Sequence, residues 1–187
     1  SKKMSRILQI SSTAQEGIRN TLAEGKVHKF VLNDEKAKKI MLEHAKVPMV
    51  EQMSESSQTT QLQLSTGAFS QVIFPLFNYW KTFPNDQVLV EDNTQVTLKE
   101  VRIDQEEKGK KVDFLAKFLF DGKKISVFAY CTNQTLMVQG ISHKEFLDSF
   151  IMPLLNKIFI QKTDSILSYN EMVVKELSSP RMEMDDS

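Results

Sequence analysis

The sequence predicts an α+β fold in which a four-stranded antiparallel β-meander, roughly residues 95–141, is packed by a long apolar helix and preceded by an N-terminal α/β arm. Two observations support this prediction. Four consecutive segments alternate apolar with polar residues, as a strand with one buried face does. A later segment repeats pairs of apolar residues every four positions, as a helix with a wide buried face does.

The four expected strands lie at 95–104, 112–120, 124–131 and 135–141. Their connections all have hairpin length, and two of them contain a glycine, Gly109 and Gly122, where a turn needs a positive φ. Since short connections can join only antiparallel neighbours, the four strands are expected to form a meander.

The apolar helix is expected to begin near His143, because Ser142 and Glu145 have the spacing of a capping box. Its large apolar residues are Phe146, Leu147, Phe150, Ile151, Leu154, Leu155, Ile158 and Phe159. Each contributes about 1.5–3 kcal/mol when fully buried, so this helix should be the central packing element. Pro153 predicts a kink or a helix in two segments.

The remaining segments predict an N-terminal arm, a linker, a main domain and a C-terminal tail. Residues 1–50 are expected to form the arm, with a short helix ending before Gly25, a strand at 27–32 and a helix from about Asp34 to Lys46. Residues 51–67 are almost without large apolar groups, which predicts a flexible polar linker. The main domain, 68–177, opens with a helix interrupted at Pro75, and residues 178–187 should be a disordered acidic tail.

Charge and cysteine content limit the function classes. The 24 Lys and Arg residues balance 24 Asp and Glu residues, so attraction to phosphate must come from a local patch. A single cysteine, Cys131, excludes an internal disulfide framework and is typical of a reducing compartment. The short apolar stretch at 7–10 does not favour secretion, and the most apolar window, 69–80, is too short to be expected to span a membrane. We expect an intracellular protein, nuclear or cytoplasmic with an organelle matrix not excluded, and no membrane partner.

Catalytic and cofactor chemistry is not indicated. The six glycines form no phosphate-cradling motif, and His28, His44 and His143 lie far apart in sequence. Cys131 has no activating neighbour, and a small core residue is the favoured interpretation. We therefore expect no enzymatic activity, no metal site and no cofactor.

Aromatic and cationic residues on the meander predict a binding surface. Aromatic platforms flanked by Lys or Arg are how sequence-tolerant proteins hold single-stranded nucleic acid. The candidate residues are Lys99, Arg102, Lys117, Phe118, Phe120, Lys123, Lys124, Phe128 and Tyr130. The alternative is that both sheet faces are buried, one under the helix at 143–160 and the other under the helix at 69–83 or a dimer partner.

Four strands followed by a long helix resemble the ββββα unit of the PC4, Whirly and PUR-repeat single-stranded nucleic-acid-binding proteins. The similar stretch runs from about Val96 to Ile160, and its last hairpin comprises residues 123–130 and 135–140. The resemblance implies a nucleic-acid-binding sheet and a second copy of the unit, either in the same chain or in a dimer; no second copy is visible in this sequence.

A second hypothesis is a structural or adaptor subunit that contacts only protein partners. Its candidate residues are Phe77, Tyr79, Trp80 and Phe83, because aromatic side chains are enriched at interface hot spots. Packing of this helix into the core is the competing interpretation.

Overall fold

The computed structural model describes residues 35–105 and 112–178. The strands are β1 (Val50–Glu55), β2 (Thr59–Leu64), β3 (Gln87–Glu91), β4 (Thr94–Gln105), β5 (Val112–Phe120), β6 (Lys123–Tyr130) and β7 (Thr135–Gln139). They form one antiparallel sheet of seven strands in the order β1-β2-β7-β6-β5-β4-β3. The α+β class is confirmed, and the expectation of a four-stranded sheet is wrong.

The four strands expected from the sequence are β4 to β7, which are neighbours in the sheet in chain order. Their bounds differ from the expected ones by at most two residues. The connection that contains Gly109 lies outside the described residues. The turn at Gly122 has the predicted positive φ, 74°, and Asp121 before it has φ 50°. This two-residue turn fixes the register of β5 against β6.

Residues 51–67, expected to be a flexible linker, contain β1 and β2 instead. β2 pairs with β7, and β1 pairs with β2 at the edge of the sheet. Leu62 and Leu64 are the large apolar residues that β2 buries, whereas β1 is almost wholly exposed. Backbone hydrogen bonds, which do not require apolar side chains, therefore hold much of this hairpin. The sheet domain begins at Val50 rather than at residue 68.

β3 is the other strand that the sequence analysis missed. It pairs with the first half of β4 through a two-residue turn, Asp92–Asn93, in which both residues have positive φ, 45° and 70°. Asp and Asn tolerate this backbone region better than most residues do. An Asp-Asn pair between two apolar stretches was the signal that could have revealed the hairpin.

Helices form the second layer. They are α1 (Glu35–His44), α2 (Thr66–Ala68), α3 (Phe74–Lys81), α4 (His143–Phe146) and α5 (Met152–Ser178), with π-helical turns at Phe69–Ile73 and Leu147–Ile151. α1 confirms the helix expected from about Asp34. The helix and strand expected earlier in the arm, and the acidic tail beyond Ser178, lie outside the described residues. None of the described helices has the length and apolar character needed to cross a membrane.

Each of the two π-helical turns ends immediately before a dipeptide that contains proline, Phe74–Pro75 in one case and Met152–Pro153 in the other. The backbone N–H of Phe74 donates to Phe69 O, and that of Met152 donates to Leu147 O, five residues back in each case. A proline inside an α-helix lacks an N–H and its ring collides with the carbonyl four residues back. The wider turn accommodates this defect, and the second helix continues through Pro153 to Ser178. Ser142, the expected cap, makes no side-chain capping hydrogen bond because its backbone is not extended (φ −99°, ψ 27°).

Both long helical segments pack on one face of the sheet. The ring of Phe118 on β5 lies 5.3 Å from Trp80, 5.1 Å from Phe146 and 5.8 Å from Phe150, between ring centroids. The helices also contact each other at Gly67, where an added Cβ would lie 2.3 Å from the carbonyl oxygen of Ile166. The first helix can approach α5 this closely only with glycine at this position.

Removing the Phe118 ring should strongly destabilise the fold. Phe118→Ala is expected to lower the free energy of unfolding by about 3–5 kcal/mol, since it empties a site enclosed by three other rings. Phe128→Ala, on the neighbouring strand but only half-buried, should cost about 1 kcal/mol or less. Urea unfolding followed by circular dichroism measures both values, and equal losses would contradict the assignment of the two rings to different faces.

Candidate functional site

The sheet has one face covered by helices and one face that no described helix covers. Alternate residues of β5, from Phe114 to Phe120, are buried, while Leu115, Lys117 and Leu119 between them are only half-buried. We call the second surface the open face. The register places on it Glu100, Arg102, Leu115, Lys117, Leu119, Lys124, Ser126, Phe128, Tyr130 and Met137.

The register divides the aromatic residues that the sequence grouped together. Phe118 pairs with Ile125 and Phe120 with Lys123, so the buried set of β5 shares its face with Ile125, not with Phe128. Phe118 is 1% exposed and Phe120 is 7% exposed, beneath the helices. Neither ring can reach a ligand in this fold, which corrects their assignment to the nucleic-acid site. The alternation of residues within β5 does not show which of the two alternating sets of β6 residues lies on the same face of the sheet.

Phe128 and Tyr130 form the aromatic part of the open face. Their rings are nearly parallel, at an interplanar angle of 5°, with centroids 6.2 Å apart. Phe128 is flanked by Leu115 on β5 and Met137 on β7, both half-buried. These two residues were missed in the sequence, although their place in the alternation, opposite the buried set, was a usable signal. The result is a pair of parallel rings with apolar side chains on either side of Phe128.

Cationic side chains share the open face with the aromatic pair. Arg102 Nε is 3.3 Å from Glu100 Oε1, and Lys117 Nζ is 3.5 Å from Glu100 Oε2. The hydrogen bond from Arg102 is the main cause that holds the pKa of the Glu100 carboxyl below its ordinary value, and Lys117 acts in the same direction. Glu100 is therefore ionised at neutral pH. Lys124 is exposed on β6, on the open face.

Two predicted cations lie away from this group. Lys99 occupies the irregularity in the pairing of β4 with β5, and its ammonium forms an ion pair with Asp86. Lys123 is exposed at the end of β6, where it pairs with Phe120 of the covered set. Of the nine candidates, the structure thus places Arg102, Lys117, Lys124, Phe128 and Tyr130 on the open face.

The aromatic residues predicted to bind a protein partner have different environments. Phe77 and Trp80 are 1% and 2% exposed and belong to the core, so they are unavailable to a partner in this fold. Tyr79 and Phe83 are half-buried and pack edge to face, with centroids 4.9 Å apart. The apolar residues of this segment recur at helical spacing, and the same spacing turns Phe77 and Trp80 toward the sheet.

The histidines of the described chain take part in structural hydrogen bonds. His143 Nδ1 lies 2.8 Å from Thr60 Oγ1 in the interior, and His44 Nδ1 lies 3.0 Å from Gln134 Oε1. Cys131 is buried. Across residues 35–105 and 112–178, no group of three or more His, Cys, Asp or Glu side chains is arranged to hold a metal ion.

A small pocket of about 270 Å³ opens where α3 ends and β4 begins to leave β3. Its lining includes Trp80 and Phe83 from the helical side, and Glu100 and Arg102 from β4. Lys81 Nζ, also at the pocket, donates a hydrogen bond to Val101 O at 2.9 Å. The pocket therefore borders the Glu100–Arg102–Lys117 group.

Comparisons of this chain with models of protein families, with curated proteins and with solved structures found no match.

Proposed function

We propose that this chain is a non-enzymatic module that binds single-stranded nucleic acid on the open face, as a subunit of a larger nucleic-acid-handling assembly inside the cell. The parallel pair of rings, Phe128 and Tyr130, beside the cations of the same face is the observation that supports the proposal most directly. Whether the strand is DNA or RNA is left to the binding experiment. The proposal agrees with the resemblance of β4–β7 and the following helix to the ββββα unit of single-stranded nucleic-acid-binding proteins.

Stacking supplies the affinity in this arrangement. Every base has an aromatic face, so a half-exposed ring can hold any base, and each stacked base contributes about 1–3 kcal/mol. Phe128 and Tyr130 are two residues apart on β6 and present their rings side by side. Two successive bases of an unpaired strand can therefore be held along β6.

The cations supply the attraction for the backbone. The formal charge of the whole chain is zero, so a strand is attracted only where positive side chains are gathered. Lys124 precedes the ring pair on β6, Lys117 lies across from Ser126 on β5, and Arg102 lies across from Leu115 on β4. These positions surround the start of the aromatic pair, where the phosphates of a strand lying along β6 would pass.

Removing both rings should abolish stacking. The double variant Phe128→Ala/Tyr130→Ala is expected to weaken binding of a labelled oligothymidine or oligouridine by tenfold or more, because each stack contributes about 1–3 kcal/mol. Fluorescence anisotropy measures the affinity for both probes. Tyr169→Ala, which removes a half-buried ring of α5 that packs against Met41 and Val173 in the helical layer, is the matched control and should leave the affinity unchanged. Equal affinity of the double variant and the wild type would refute the proposal.

Salt dependence tests the cationic part of the surface. The logarithm of the binding constant should fall linearly with the logarithm of the salt concentration, with a slope of about −0.7 for each phosphate neutralised on a single strand. Lys117→Ala/Lys124→Ala should reduce the magnitude of that slope by about 1.4. Lys39→Ala/Lys46→Ala, which removes two exposed lysines of the α1 region, is the control. A slope that is the same in all three proteins would exclude a role for Lys117 and Lys124.

A structural role through self-association is a second candidate, favoured by the outer side of α5. Ile160 and Leu167 are 77% and 46% exposed. They are seven residues apart, close to two helical turns, and therefore lie on one side of the helix. A second copy of the chain is the proposed occupant, because a two-fold axis brings the same stripe of both copies together. This would also supply the second unit that the resemblance implies.

Light scattering of the purified chain tests this candidate. A dimer is expected at micromolar concentration, and Ile160→Ser/Leu167→Ser should convert it to a monomer because the apolar contact is lost. Met53→Ser, at a side chain that is 52% exposed on β1, is the matched control and should remain dimeric. A wild-type chain that is monomeric at all concentrations would exclude this role.

A further inference from the structure

We propose that Arg102 and Lys117 form a phosphate subsite on the open face, and that the carboxylate of Glu100 occupies this subsite when no nucleic acid is bound. The inference rests on the nucleic-acid role proposed above. It assigns one phosphate of the ligand to a defined place and gives Glu100 the role of an internal competitor.

The two cations hold the carboxylate from different strands. Glu100 lies directly across from Lys117 in the β4–β5 pairing, and Arg102 is two residues further along β4 on the same face. One carboxylate oxygen is 3.3 Å from Arg102 Nε and the other is 3.5 Å from Lys117 Nζ. A phosphodiester has two unesterified oxygens that can make the same two contacts, and Arg and Lys are the residues that bind phosphate most often.

The subsite lies next to the aromatic pair. Lys117 is paired with Ser126, and Phe128 is two residues further along β6. Such diagonal neighbours have side chains about 7–8 Å apart. Arg102 is separated from Phe128 by Leu115 alone, a distance of two strand spacings, about 9.6 Å. A phosphate held by Arg102 and Lys117 can therefore belong to a nucleotide whose base contacts Phe128.

The Glu100 carboxylate competes only weakly with a phosphate for Arg102 and Lys117. The side chains of Arg102, Glu100 and Lys117 are 54%, 42% and 44% exposed, and ion pairs exposed to this degree contribute little to stability. A strand that also stacks on the rings can displace Glu100, whereas an isolated phosphate gains little from the exchange. The arrangement favours ligands that carry bases next to their phosphates, which is a specificity device.

The experiment measures the affinity of the full chain for labelled oligothymidine by fluorescence anisotropy. Glu100→Gln keeps the shape of the side chain and removes its charge. It is expected to tighten binding about threefold to tenfold at low salt, and to steepen the salt slope by about 0.7 as one further phosphate is neutralised. Circular dichroism melts establish that each variant is folded.

The control separates a local effect from a change in total charge. Asp121→Asn makes the same charge change in the β5–β6 turn, where Asp121 is exposed and has φ 50°, a backbone region that Asn adopts readily. It should alter the affinity less than twofold. In a background of Arg102→Ala/Lys117→Ala, Glu100→Gln should likewise have an effect of less than twofold, because the subsite no longer exists.

The outcomes distinguish the two proposals. If the wild type binds through Phe128 and Tyr130 but Glu100→Gln matches Asp121→Asn, or keeps its effect in the double-alanine background, the subsite is refuted and the aromatic interface remains. If neither the wild type nor Glu100→Gln binds the probe at low salt, both proposals are refuted. Inorganic phosphate that competes with the oligonucleotide at millimolar concentration would also refute the requirement for adjacent bases.

Discussion

The contact of Phe118 with Trp80, Phe146 and Phe150 is the constraint on which the other features of the molecule depend. It brings both helical segments onto one face of the sheet and commits the alternate residues of β5 to the core. Since neighbouring residues of a strand point to opposite faces, Lys117 is thereby turned outward. The β5–β6 register then turns Phe128 and Tyr130 outward as well. The surface proposed to bind nucleic acid is a geometric consequence of how the core is packed.

The helices can pack on that face because they accommodate two prolines and a close contact between their backbones. Each long segment contains a proline, and a π-helical turn before Pro75 and before Pro153 allows the helix to continue. The segments then approach closely at Gly67, whose backbone N–H donates to Asn170 Oδ1 at 2.6 Å. Asn170 is buried and also donates to Ser65 Oγ at 3.1 Å. Both the oxygen and the nitrogen of this buried amide therefore have a partner at the start of the first helical segment. These two hydrogen bonds fix the position of α5 along that segment.

The open face combines interactions that are individually weak. Its cations are exposed, the chain has no net charge, and Arg102 and Lys117 are partly neutralised by Glu100. Electrostatics alone would give low affinity and little discrimination among anions. Stacking on Phe128 and Tyr130 adds a requirement for planar groups, so a ligand must offer bases and phosphates at a suitable spacing. The proposed selectivity for single strands follows from this combination, since the bases of a duplex are stacked on one another and their faces are not available.

Elements with a local pattern could be recognised in the amino-acid sequence. The alternation of β4–β7, the paired apolar positions from Phe146 to Phe159, and the amphipathic α1 could all be predicted, because period and turn chemistry act within a few residues. Much of the candidate surface was also recognised as aromatic and cationic. β1 and β2 could not be predicted, since they are stabilised less by their own apolar content than by backbone pairing, of β2 with the distant β7 and of β1 with β2. The division of the aromatic residues between the two faces likewise depends on the folded sheet, because the register between two strands determines which of their alternating sets share a face.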